Sequence, residues 1–170
     1  MEPHASRPHM PDYGIAAADV GTRLLPWSWG TERLAASHDY WLATVWPDGR
    51  PHVTPVWGVW WSDAVWFSAG GRARKTRNLE RNSQAVITTD NALEPVIVEG
   101  AVARVDDADA IAAFADAVNR KYETSYSVEF FTENVCFQLR PRRAFGLTEA
   151  DFVGSPTRWT FDGGPGGPGR

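Results

Sequence analysis

Between Tyr40 and Leu147 the chain is mostly short stretches of alternating or wholly apolar residues, the period of strands rather than helices. Tyr40–Trp46 (YWLATVW) is aromatic and β-branched and reads as a first strand. Pro47-Asp48-Gly49 is a turn signal. Arg50–Trp61 (RPHVTPVWGVWW) reads as a long second strand, with Val53, Trp57, Val59 and Trp61 on one side and His52, Thr54, Val56 and Trp60 on the other. Pro55 and Gly58 predict a bend, a bulge or an unpaired backbone edge within it. Ala64–Ser68 is a third strand. Further strands are expected at Gln84–Thr89, at Pro95–Val105 with a bulge at Glu99-Gly100, at Asn134–Arg140, at Ala144–Leu147 and at Thr157–Phe161.

Helical spacing shows in three places. A short helix is expected from Gly30 to Ser37, capped by Thr31, and another from Arg72 to Asn82. The clearest starts at Asp106 or Asp107, where Ile111, Phe114, Ala115, Val118 and Tyr122 form one apolar stripe. Asp109 in its first turn and Arg120-Lys121 in its last suit the helix dipole. Strands and helices do not alternate, which disfavours a doubly wound sheet and predicts an α+β fold with a small antiparallel barrel. Residues 1–19 have no period and read as a flexible lead-in; Asp162–Arg170 (DGGPGGPGR) reads as a disordered Gly/Pro tail. The ordered domain is then 20–161.

Composition narrows the function more than the fold. The chain has 170 residues, 43% hydrophobic and 22% charged, enough for one self-sufficient core. Its one cysteine, Cys136, excludes an internal disulfide framework and reads as an inert buried strand residue. His4, His9, His38 and His52 have no metal-ligand spacing. The longest apolar runs are too short to cross a membrane, the first residues lack a secretory apolar core, and a cytoplasmic location is the expectation. A net charge of −4 argues against nucleic acid as the partner. Six of the nine tryptophans fall between Trp41 and Trp66, as core filler or as walls for a flat ligand.

Against this acidic background, Gly70–Arg81 carries five cations (Arg72, Arg74, Lys75, Arg77, Arg81) and one anion, Glu80. It follows a strand ending at Ser68, passes two glycines and opens a helix. Backbone N–H groups, a positive helix end and Arg or Lys side chains together suit a phosphate monoester. The segment lacks the Gly-Lys-Ser/Thr of a P-loop and the spacing of a dinucleotide fingerprint. On charge alone it reads first as a solvated basic helix with Arg77 and Glu80 paired. A second basic cluster, Arg140, Arg142 and Arg143, reads as a solvated strand edge or a groove for an anionic tail. Thr157-Arg158-Trp159 either closes over a ligand or ends the sheet.

The succession YWLATVWPDGRPHVTPVWGVWW, AVWFSAG and RARKTRNLERNSQAVITTD resembles the pyridoxamine 5'-phosphate oxidase-like split-barrel superfamily, and within it the flavin and deazaflavin oxidoreductases. The likeness covers about residues 35–160. It implies a six-stranded antiparallel split β-barrel with flanking helices, assembled as a homodimer with the cofactor in a groove at the interface. Carried over residue by residue, Arg74 and Lys75, with Arg72, Ser68 and Ala69, would hold the cofactor phosphate. Asn78, where relatives often have Gln, would reach the phosphate or ribityl chain. Val53, Thr54, Pro55, Val56 and Trp57 would edge the ring through backbone groups. The implied cofactor is coenzyme F-420 or FMN. The Arg-Lys-Thr-Arg-Asn-Leu form and arginines able to receive an acidic oligoglutamate tail favour the first. The implied activity is hydride transfer to or from a small flat organic substrate. The alternatives are a non-catalytic flavin or haem carrier or sensor, and an FMN enzyme of the pyridoxamine-phosphate-oxidase type.

Overall fold

A computed structural model describes residues 2–20 and 22–161. The expected Gly/Pro tail, 162–170, lies outside the described residues. The element order is β1 (His4–Ser6), α1 (Trp27–Ala36), β2 (Tyr40–Val45), β3 (Pro51–Val56), β4 (Gly58–Trp61), β5 (Ala64–Ala69), α2 (Arg74–Arg81), β6 (Gln84–Thr89), β7 (Val96–Val105), α3 (Ala108–Tyr122), α4 (Val128–Thr132), β8 (Val135–Leu139), β9 (Arg143–Gly146) and β10 (Thr157–Thr160), with a one-turn 3-10 helix at Glu149–Asp151 before the last strand. Every strand pairing is antiparallel and the helices are few, so the α+β class holds.

Read through its pairings, the sheet runs β3–β2–β6–β7–β8–β5–β4. β3 and β4 are separated by Trp57 alone, so the run returns to the stretch of chain where it began. Ten strands are present among the described residues where six were expected. The long second strand divides at Trp57, and β9, β10 and β1 extend the sheet from β7. β7 serves both branches, pairing β9 over Val96–Glu99 and β8 over Val102–Val105. The expected bulge at Glu99-Gly100 is absent, because the register with β6 runs unbroken through Val86↔Glu99 and Ala85↔Gly100. Gly100 instead sits where the backbone of Arg140 crosses so close that a Cβ would collide with its carbonyl.

The lead-in also differs from expectation. Residues 4–6 pair with β10 in the register His4↔Thr160, and Arg7 donates to the carbonyls of Pro156 and Gly154 at 2.8 Å each. A guanidinium fork meeting that many main-chain acceptors organises a segment that has no apolar period. α1 begins earlier than expected, at Trp27 behind an N-cap Pro26, so Thr31 lies inside the helix and donates to the Ser28 carbonyl. Pro at the boundary fixes an extended φ and starts the helix without a capping hydroxyl.

Two cores share β5, whose Val65 and Phe67 face the interior of the sheet while Ala64 and Trp66 face α3. The interior core holds Tyr40, Leu42, Phe67, Ile87, Val98, Leu139 and Trp159. The second packs Ile111, Phe114, Ala115 and Val118 of α3, the stripe read from sequence, on Val59, Trp66 and Phe131. Asp107 caps α3 by accepting from the Ala110 N–H at 2.8 Å.

Candidate functional site

β3 lies at the end of the sheet path and pairs only with β2. Its other backbone edge has no ladder partner among the described residues, as Pro55 and Gly58 predicted. Val53 (57% exposed) and Trp57 (47% exposed) stand open beside it, with Pro55. Val56 turns into the core, so only its backbone is available at the edge. Past Trp57 the alternation read from sequence is reset: Val59 is buried against α3 and Trp61 is exposed.

The basic segment lies against this edge. Lys75 Nζ is 3.4 Å from Thr54 Oγ1, which brings the first turn of α2 to the middle of β3. The N-cap residue is Ala73 and the first turn holds no acid, so no side chain answers the N–H groups of Arg74 and Lys75. Thr76 and the Ala73 N–H both donate to the Gly70 carbonyl, at 2.8 and 2.9 Å, and fix the turn from loop to helix. Neither Gly70 nor Gly71 has a left-handed φ, and a Cβ on either would meet nothing closer than 3.9 Å; the loop's outer side is open space. Arg72 is exposed; Arg74 and Lys75 are half-buried. Arg74 lays its guanidinium 3.9 Å from the centroid of Trp46, with Arg50 4.6 Å from the same ring. The cation–π contact holds the Arg74 fork in place while leaving its N–H groups free for an acceptor; the Arg50 Nε–H is taken by Asp48 at 2.8 Å.

Asn78 is not at the groove. It is 1% exposed, and its Nδ2 donates to Thr44 Oγ1 at 3.0 Å. Thr44 lies 3.3 Å from His52 Nδ1, while Asn78 Oδ1 is buried without a partner among the described residues. The resemblance implied a contact with the phosphate or ribityl chain, but the side chain ties α2 to β2. Ser68 is half-exposed and Ala69 buried, both on β5 just ahead of the loop.

Ser68 also lines an apolar cavity of about 220 Å³ with Trp57, Phe114, Val118, Tyr126, Phe130 and Phe131. Trp57 lies flat on Tyr122, with centroids 4.3 Å apart and planes 5° apart; Tyr126 stacks on Phe130 at 4.5 Å. The sequence reading missed Tyr126 and Phe130 as cavity residues, and Tyr122 as the ring beneath Trp57. Their signal was present, since the stripe of α3 continues as an aromatic every four residues from Val118 onward.

The remaining candidates fall away from the groove. Trp159 is fully buried and donates to the Leu25 carbonyl at 3.0 Å, so it belongs to the core and does not close over a ligand. Arg140 donates to the Ser62 carbonyl at 3.2 Å. Cys136 is buried and its thiol is pushed up to about 11 by desolvation, which suits an inert residue. Among the described residues no cluster of His, Cys, Asp and Glu could hold a metal, and no helix is long and apolar enough to cross a membrane.

The donor set fits a phosphate-bearing planar cofactor. Cations and unanswered N–H groups gather at one end of an open strand edge, and aromatic walls stand at the other.

Comparisons with known proteins give the family and the fold. A family model described as pyridoxamine 5'-phosphate oxidase matches residues 31–152. A solved F-420 reductase is 26% identical with a TM-score of 0.56, covering 66% of this chain and 93% of its own. A conserved hypothetical protein from Mycobacterium tuberculosis has the same fold at 19% identity and a TM-score of 0.66, over 91% of this chain and 98% of its own. A heme-binding protein from Mycobacterium smegmatis is 23% identical, with a TM-score of 0.55, over 77% of this chain and 62% of its own. No curated protein matches.

Proposed function

The chain belongs to the pyridoxamine 5'-phosphate oxidase family, and from that premise we propose that it is a cytoplasmic oxidoreductase working with a phosphate-bearing flavin-type cofactor. Coenzyme F-420 is the first choice and FMN the second. The observation that carries this reading is the meeting of Lys75 with Thr54, which places a cationic helix start against a strand edge that lacks a ladder partner. The likeness to an F-420 reductase at 26% identity supports the choice of deazaflavin.

In this reading Arg74, Lys75 and Arg72 hold the phosphate, with Ser68 and Ala69 beside it. The backbone of Val53–Trp57 hydrogen-bonds the ring edge. The cofactor, when bound, supplies hydride transfer; the protein supplies binding, orientation and exclusion of water. The cavity at Ser68 receives the substrate. Its walls carry no charged side chain, which selects a flat, neutral, apolar molecule. The exposed face of β2 and β3, with Trp41 opposite Pro55 and Val45 opposite Pro51, seats a second copy and makes a homodimer that closes the groove.

Titrating F-420 and FMN separately into the purified protein, with absorption and fluorescence as readouts, tests the proposal. Saturable binding of one of them, followed by turnover of a planar acceptor with the reduced form, is the expected result. Binding without turnover of any acceptor would make the protein a carrier, and binding of neither cofactor would overturn the reading.

A further inference from the structure

Helix α3 ends in Lys121 and Tyr122, outside the groove, and both residues act on the backbone of one residue, Gly58. Lys121 Nζ donates to the Gly58 carbonyl at 2.7 Å. The Gly58 N–H donates to Tyr122 Oη at 2.9 Å, and Tyr122 in turn donates to the His38 carbonyl at 2.6 Å. Gly58 is opposite Phe67 in the β4–β5 register, yet its own N–H and C=O point to α3. The neighbouring Trp57 ring lies flat on Tyr122. The chain therefore breaks between β3 and β4 where two side chains of a helix take over the hydrogen bonds of a strand.

A lysine is a costly choice for this task. Burial lowers the Lys121 ammonium to about 8, with Asp39 and Asp90 pulling the other way. The groups that face it are Asp39 ahead of β2, Asp90 after β6, the Tyr40 ring at 4.6 Å and Tyr122 on its own helix; His38 packs on Tyr122, and Arg120 lines the same shallow pocket. No carboxylate oxygen lies within ion-pair distance of Nζ among the described residues. An apolar side chain of the same length would fill the space at lower cost in desolvation. The charge therefore serves the carbonyl it holds.

We propose that Lys121 and Tyr122 are positioning residues, which by gripping Gly58 fix the break between β3 and β4 and set the angle at which the Val53–Trp57 edge meets a bound ring. The role in cofactor binding rests on the function proposed above; the grip on Gly58 does not.

The test uses the full chain and the variants Lys121→Met, Lys121→Arg and Tyr122→Phe. Hydrogen exchange of the unliganded protein is followed in a peptide covering Trp57–Trp61, alongside melting temperature and the affinities for F-420 and FMN. In Lys121→Met, exchange there accelerates about tenfold, one decade of the opening equilibrium, while the melting temperature holds or rises because a buried charge is gone. Cofactor affinity falls about fivefold or more, short of the full loss of a direct charge-assisted contact, and Lys121→Arg restores part of both. Tyr122→Phe, which keeps the stack on Trp57, accelerates exchange at Gly58 likewise. Parent affinity declines as pH rises through about 8, and Lys121→Met loses that decline.

Unchanged exchange in both Lys121→Met and Tyr122→Phe overturns the proposal. Faster exchange with parent affinity overturns the positioning role. Weakened binding in Lys75→Ala with parent behaviour in Lys121→Met sinks this inference and leaves the phosphate anchor standing. If the parent binds neither cofactor, the function proposed above falls, and the exchange experiment alone decides whether the grip exists.

Discussion

Lys75 is the residue on which the proposed phosphate anchor depends most. It pairs a side-chain charge with an uncapped helix start, and it reaches the strand edge through Thr54. A charge-assisted contact of this kind contributes roughly 1.5–3 kcal/mol. Lys75→Ala should therefore weaken binding of F-420 or FMN by about 10- to 150-fold, as measured by fluorescence titration, with the melting temperature within a degree or two of the parent. Lys121 and Cys136 give stability a characteristic pH dependence. The unfolded chain holds the Lys121 proton up to the ordinary value of 10.5, while the native chain releases it from about 8. Between those values the unfolded state binds more protons, so stability rises with pH. Cys136 acts in the opposite sense: its native thiol keeps its proton to about 11, against an ordinary 9.0, so its contribution falls across that interval. Urea midpoints should climb between about pH 8 and 9 and then level or turn down. In Lys121→Met the climb should vanish.

At the scale of elements, the break between β3 and β4 is the feature most exposed to mutation. A Cβ on Gly58 would stand 2.6 Å from the Trp66 carbonyl and 3.3 Å from the Tyr40 ring. Gly58→Ala should cost about 1–3 kcal/mol, the usual penalty for overpacking, read as a drop in urea midpoint. The same change should loosen the edge above it and lower cofactor affinity. This break was legible in the chain, because Pro55 and Gly58 both disrupt a ladder, and strands such as Gln84–Thr89 were legible in full because their alternation meets a sheet with one buried face. The basic helix start that the proposed anchor uses was legible as a charge run after two glycines. Other parts carried no local signal. β1 has three residues, too few to show a period, and it exists because β10 offers an edge far along the chain. α4 has five residues and is set by Phe131 packing beneath Phe114. Asn78, on a basic helix, has the composition of a solvated residue; its burial depends on Thr44 of a different strand. Trp159 could not be placed because core and lid use the same aromatic ring.

For the whole molecule, the apolar face of β2 and β3 predicts assembly. Trp41 (46% exposed), Val45 (37%) and Val53 (57%) stand beside Pro51 and Pro55 across the two paired strands. A stable dimer in the obligate range buries about 2,000 Å² or more in total, and this apolar face is the one proposed to seat the second copy. Light scattering at micromolar concentration should return about twice the 18.8 kDa of one chain, and Trp41→Glu should shift the mass toward the single chain. The pairing of β1 with β10 bears on synthesis. The two strands lie 152 residues apart where Arg158 reaches Ser6. At the roughly 5–20 residues per second of a translating ribosome, the first strand is made about eight to thirty seconds before its partner exists. Residues 4–6 and the Arg7 fork must wait through that interval, so this ladder closes only after Thr160 has been made, and until then the edge of β1 stays open.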